Sequence, residues 1–133
     1  MNYPNIKKEI HADYIVSNDE AAKLFRVICA ITANIDFSII RHDNIITISK
    51  TFFTQEFIFK SYSENDDEKL KEDKLYDAKS TAYNIATTRI EKEIPIEIKN
   101  NTNIKTLFTE KEKKELLKAY YDSFSWYNDL PKA

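Results

Sequence analysis

Two histidines, one cysteine and a scatter of carboxylates and tyrosines are the side chains here that could carry covalent or metal chemistry. His11 and His42 stand far apart in the chain. Neither belongs to a His-x-x-x-His or His-x-x-Glu-His spacing, which would place two ligands on one helix face. His42 opens the run His42-Asp43-Asn44, a hairpin signal in which these residue types are favoured for backbone reasons. Cys29 lies in an apolar stretch, and Arg26 would activate its thiol only if the two shared a surface, so packing is the expected role. A lone cysteine also excludes an internal disulfide and Cys-rich zinc sites. No cofactor or metal is therefore expected.

The charged clusters lead to similar conclusions. Glu64, Asp66, Asp67, Glu68, Glu72 and Asp73 crowd one segment, but the spacing and glycine turn of a calcium loop are missing. They suit the solvated first turn of a helix, where the dipole favours carboxylates, or a face for a basic partner. Lys111, Lys113, Lys114 and Lys118 are interleaved with Glu110, Glu112 and Glu115, and the net formal charge is −2. That balance argues against a nucleic-acid partner. With no glycine at all, the chain has no phosphate-cradling loop, dinucleotide fingerprint or nucleophile elbow. Left-handed backbone positions must fall to Asn or Asp, with Asn34, Asp43, Asn44, Asn100 and Asn101 as candidates.

Aromatic residues carry the remaining signal. Phe57 and Phe59 lie on one side of a β-rich run, with Ile58 on the other. Leu117, Tyr120, Tyr121 and Phe124 share a helical face, while Trp126 falls on about the opposite side of the same helix. Trp and Tyr are enriched at binding hot spots. Phe57, Phe59, Tyr120, Phe124, Trp126 and Tyr127 are the expected partner-binding residues.

The elements that must position these residues follow from pattern. At 133 residues, 42% hydrophobic and 32% charged, the chain suits one globular domain over 1–133, with 1–10 as a loosely held arm around Pro4. No apolar run reaches the ~20 residues needed to span a bilayer, and no signal-peptide layout opens the chain, so a cytoplasmic protein without a membrane partner is expected. His11–Val16 suits a short strand or lead-in. Ser17 and Glu20 form a capping box, opening a buried helix through Leu24, Val27, Cys29 and Ile31 to a stop at Asn34. Residues 36–61 alternate as three short strands, with the hairpin at 42–44. A helix begins near Asp67 and ends at about Glu93, before Pro95. Ile94, Ile96 and Ile98 alternate as a strand, Ile104–Phe108 forms its partner, and the Thr109/Glu112 capping box opens the last helix. The expected fold class is α+β: an antiparallel sheet of about five strands with three helices, in the order α-β-β-β-α-β-β-α.

That order resembles the type III secretion chaperones, and the stretch Glu115-Leu116-Leu117-Lys118-Ala119-Tyr120-Tyr121-Asp122-Ser123-Phe124-Ser125-Trp126 is similar in style to their last helix. The resemblance spans Ser17 to Leu130 and implies a small acidic cytosolic protein that forms a homodimer. The residues themselves point to a non-enzymatic protein-binding module. Such a module masks or inhibits a partner polypeptide as a chaperone, an immunity protein or an inhibitor does, using aromatics and open sheet edges. The alternatives are a small-molecule or nucleotide sensor with an aromatic pocket, and behind it a carboxylate-based hydrolase.

Overall fold

A computed structural model describes residues 3–123 of the chain. Three long strands form one antiparallel meander: β1 (Asn5–Asp19), β2 (Leu24–Arg41) and β3 (Asn44–Ser61), in spatial order β1-β2-β3. Three helices follow, α1 (Glu68–Asn100), α2 (Thr102–Leu107) and α3 (Glu110–Ser123). The order is β-β-β-α-α-α, not the α-first order with about five strands that the sequence suggests.

The largest correction concerns 17–34. The side chains that read as an all-round buried helix are instead the end of β1, a turn and most of β2. Ser17 is no helix cap, since it lies in β1 opposite Arg26. From Phe25 to Ile39 every second residue of β2 is apolar and buried, while the intervening residues Arg26, Thr32, Asn34, Asp36 and Ser38 are polar. A period of two puts that buried set on one sheet face, with Ile28, Ala30 and Ile40 on the other. A helix would scatter it. Asn5–Ile10, expected in a loose arm, pairs with Ala33–Ser38 of β2. Residues 44–61, expected as two strands, form one continuous strand.

Two turns hold the meander. His42 and Asp43 take φ of 50° and 65° between the paired residues Arg41 and Asn44. Positive φ at both central residues is the type I′ geometry, whose twist suits a two-residue hairpin, and His and Asp tolerate it without glycine. The first turn is longer. Asp19 accepts a bond from the Ala22 amide, and Lys23 takes φ of 55°.

α1 starts where its acidic run predicts. Asp67 caps it by accepting from the Leu70 amide at 2.8 Å, and Asp66 holds Lys74 at 2.5 Å. It then runs for 33 residues, passing through the segment expected as a strand. Ala78, Ala82, Ala86, Ile90, Ile94 and Ile98 recur every four residues and form its buried stripe. The alternation of Ile94, Ile96 and Ile98 is incidental, because Ile96 is exposed. Pro95 does not end the helix. Its missing N–H orphans the Glu91 carbonyl four residues back, and the Tyr120 hydroxyl donates to that carbonyl at 3.0 Å. Residues 104–108, expected as the partner strand, belong to α2 and its C-cap.

The final helix opens on a true capping box: Thr109 Oγ1 accepts from the Glu112 amide, and Glu112 Oε1 accepts from the Thr109 amide. Glu112 also takes the Arg41 guanidinium through both carboxylate oxygens, tying α3 to the tip of β2. The Arg41 side chain holds the Glu112 carboxyl below the usual carboxylate range. Both long helices lie on one face of the sheet, where Ile31, Ile35, Phe37, Tyr83, Ile94 and Leu116 are completely buried. α1 runs antiparallel to β3: Asp77 meets Lys60, while Arg89, further along, meets Glu56. No helix among the described residues is long and apolar enough to cross a membrane.

Candidate protein-binding face

Because strand side chains alternate, the face of the meander away from the helices is specified by the same three strands. No described element covers it. The register places its side chains in rows across β1, β2 and β3: Ser17–Arg26–Phe59, Ile15–Ile28–Phe57, Asp13–Ala30–Gln55 and His11–Thr32–Phe53. Further along come Glu9–Asn34–Thr51, Lys7–Asp36–Ser49 and Asn5–Ser38–Thr47.

This face has two parts. Toward the β3 C-terminus its apolar side chains gather, with Ile15 at 63%, Phe53 at 64% and Phe59 at 56% exposure near Ile28, Ala30 and Phe57, interspersed with Arg26, Asp13, Gln55 and Thr32. The patch spans roughly 20 Å along the strands and about 14 Å across them, by strand geometry. Phe57 and Phe59 meet edge to face, with ring centroids 4.6 Å apart. Between Asn34 and Thr47 the face is polar, with side chains bonded to one another across β2 and β3, before the exposed pair Ile40 and Ile45 at the hairpin. Thr51 donates to Asn34 at 2.7 Å, Ser49 donates to Asp36 at 2.6 Å, and Ser38 and Thr47 share a 2.8 Å bond. Polar groups satisfied within the sheet gain little from a new partner. Exposed phenylalanines still have water to lose. Several large apolar side chains exposed on one face are a mark of an interaction surface.

The expected binding residues divide accordingly. Phe57 and Phe59 lie together on the open face, as their phase predicts. Tyr120 does not join them: it is 4% exposed, packed among the helices, and its hydroxyl fills the gap left by Pro95. Burial, followed by the nearby Glu91 charge, raises its pKa. Phe124, Trp126 and Tyr127 lie outside the described residues. Sequence reasoning missed Phe53, Ile15 and Ile28. Phe53 was recoverable, since it has the same parity as Phe57 and Phe59 within TFFTQEFIFK. Ile15 and Ile28 become visible only once 24–41 is recognised as a strand.

Among the other chemistry-bearing residues, Cys29 serves packing. Cys29 is fully buried between Tyr14 and Glu56 in the register, and burial pushes its thiol up. Glu56 meets Arg89 of α1 at 2.9 Å. His11 lies 2.9 Å from Asp13 on the exposed β1 surface. No group of three His, Cys, Asp or Glu side chains among the described residues is placed to hold a metal ion. An open groove of about 490 Å³ runs between α1 and α3, lined by Thr88, Glu91, Lys92, Pro95, Tyr120 and Tyr121. Its one carboxylate, Glu91, stands beside Lys92, so no carboxylate pair converges there. No protein-family model, curated protein or solved structure matches the chain.

Proposed function

We propose that the chain is a non-enzymatic polypeptide-binding module. Its open sheet face takes up an extended apolar segment of another protein and so masks it, as a chaperone, an immunity protein or an inhibitor does. The observation that supports this reading is the cluster of Phe53, Phe57 and Phe59 with Ile15 and Ile28 on a sheet face bare of any described element. An extended segment alternates its side chains, so one row of them can lie against the phenylalanines. The charged residues of β1 and Arg26 line the rim, where they oppose aggregation more than they add affinity.

The test uses a reduced, carboxymethylated polypeptide that cannot fold, titrated against the chain by fluorescence anisotropy. The wild type should bind it. Phe57→Ser combined with Phe59→Ser should weaken binding by at least tenfold, with circular dichroism unchanged. Equal binding by both proteins, or none by the wild type, would contradict the proposal.

A further inference from the structure

The two outer strands of the sheet differ in how they guard their free edges. β1 carries Lys7, Lys8, Glu9, His11, Asp13 and Asp19 along its length, and charge on an edge is a common defence against pairing with another chain. β3 carries fewer charges, at Lys50, Glu56 and Lys60. It runs for 18 residues without proline, pairs with β2 residue for residue without a bulge, and has no strand on its other side among the described residues.

The hairpin fixes which main-chain groups that edge offers. Arg41 and Asn44 flank a two-residue turn, so they are a hydrogen-bonded pair, and such pairs alternate along the ladder. Even-numbered residues of β3 therefore bond to β2. The N–H and C=O groups of Thr47, Ser49, Thr51, Phe53, Gln55 and Phe57 point outward. None of these residues is charged. Arg89 marks that outer side, since its guanidinium reaches the Gln55 carbonyl at a long 3.4 Å, and a carbonyl keeps a second lone pair for another donor.

We infer that this edge is occupied by a second copy of the chain, with the two β3 strands pairing antiparallel about a two-fold axis at Phe53. The observations that choose this occupant and this register are the complementary side chains. With Phe53 opposite its own copy, Lys50 faces Glu56 of the second copy, where it would join the carboxylate that Arg89 already holds at 2.9 Å, and Ile48 faces Ile58 of the second copy. Shifting by one residue pair puts Ile48 against Glu56 in one direction and Lys50 against Ile58 in the other, and both shifts bury a charge against an apolar side chain. On the helix-facing side the chosen register matches each strand with its own sequence, as a two-fold interface requires, while on the open face it sets Phe57 beside Ser49 and Phe59 beside Thr47 of the second copy. Helix α1 adds a second observation. Its exposed Ile85 and Ile96 share within about 40° the direction of Arg89, toward the β3 edge, where the second copy's α1 would lie. The product is a continuous six-stranded sheet whose two aromatic patches share one face. This deepens the proposed binding function, because it doubles the surface presented to a polypeptide.

Light scattering on the whole chain should return twice the monomer mass of 15.7 kDa at micromolar concentration. Lys50→Glu, which faces a like charge in the pair, should shift the chain toward monomer with its circular dichroism unchanged. Mild oxidation tests the register, and the wild type controls for Cys29. Phe53→Cys should cross-link to itself, since hydrogen-bonded antiparallel residues stand ~5.5 Å apart at Cα, within disulfide reach. Thr51→Cys and Gln55→Cys should not cross-link singly, but the Thr51→Cys/Gln55→Cys double variant should. A wild type that stays at monomer mass, or cross-links at Thr51→Cys without any at Phe53→Cys, overturns the inference. A monomer that still binds unfolded polypeptide through Phe57 and Phe59 would sink this dimer and leave the binding function standing.

Discussion

The two faces of this sheet are made by the same strands, yet one is finished and the other is not. Under the helices, β2 presents eight apolar side chains in succession, nearly all at zero exposure. On the other face the same strand mixes Arg26, Thr32, Asn34, Asp36 and Ser38 with Ile28, Ala30 and Ile40, and the exposed phenylalanines stand on β3. On the proposed function, stability and binding separate onto opposite faces. Substitutions under the helices should unfold the chain, while substitutions among the open phenylalanines should change what it holds.

The sharpest way to break that division is Ile94→Ala, which removes a fully buried side chain where α1 crosses the sheet. It should cost ~2–5 kcal/mol by urea denaturation. A loss below about 1 kcal/mol would mean that the helix face is not the core. Tyr120→Phe comes next. It leaves the Glu91 carbonyl without a donor and should cost about 1 kcal/mol. Pro95→Ala restores an N–H at that position, so the same tyrosine substitution should cost less in a Pro95→Ala background. Equal costs in both backgrounds would remove the link between Tyr120 and Pro95.

The Glu112 contact adds a pH dependence. Its carboxyl titrates lower in the folded chain than in the unfolded one, because Arg41 and the Thr109 amide favour the charged form. The stabilisation is thus fully present above the unfolded carboxylate value of about 4.3 and fades as pH falls through the folded value. Glu112→Gln should lower the melting temperature at pH 7, and the gap to wild type should shrink in acid. A gap that grows in acid would reverse the assignment. Ser49→Ala on the polar part of the open face should have the smallest effect, within about 0.5 kcal/mol.

Local devices were more legible than long-range order. The Asp67 start of α1, the Thr109/Glu112 box and the turn at His42 and Asp43 each depend on a few neighbouring residues, and each appears in the structure. β2 was misread because Ile28 and Ala30 fill alternate positions with apolar side chains, which blurs a period of two into an all-round apolar run. Those same residues lie on the open face, so the feature proposed to bind also hid the strand. Pro95 misled for another reason. Its cost to a helix depends on whether the orphaned carbonyl finds a donor, and the donor lies 29 residues away in sequence. The type III secretion chaperone resemblance rested on an element order that the structure does not contain.

Amide hydrogen exchange read by mass spectrometry, with and without the unfolded polypeptide, tests the central claim most directly. Protection should appear in peptides covering 26–32 and 53–59, while α1 and α3 remain as they are in the free chain. Protection confined to the helices, with the β3 phenylalanine region unchanged, would contradict the account.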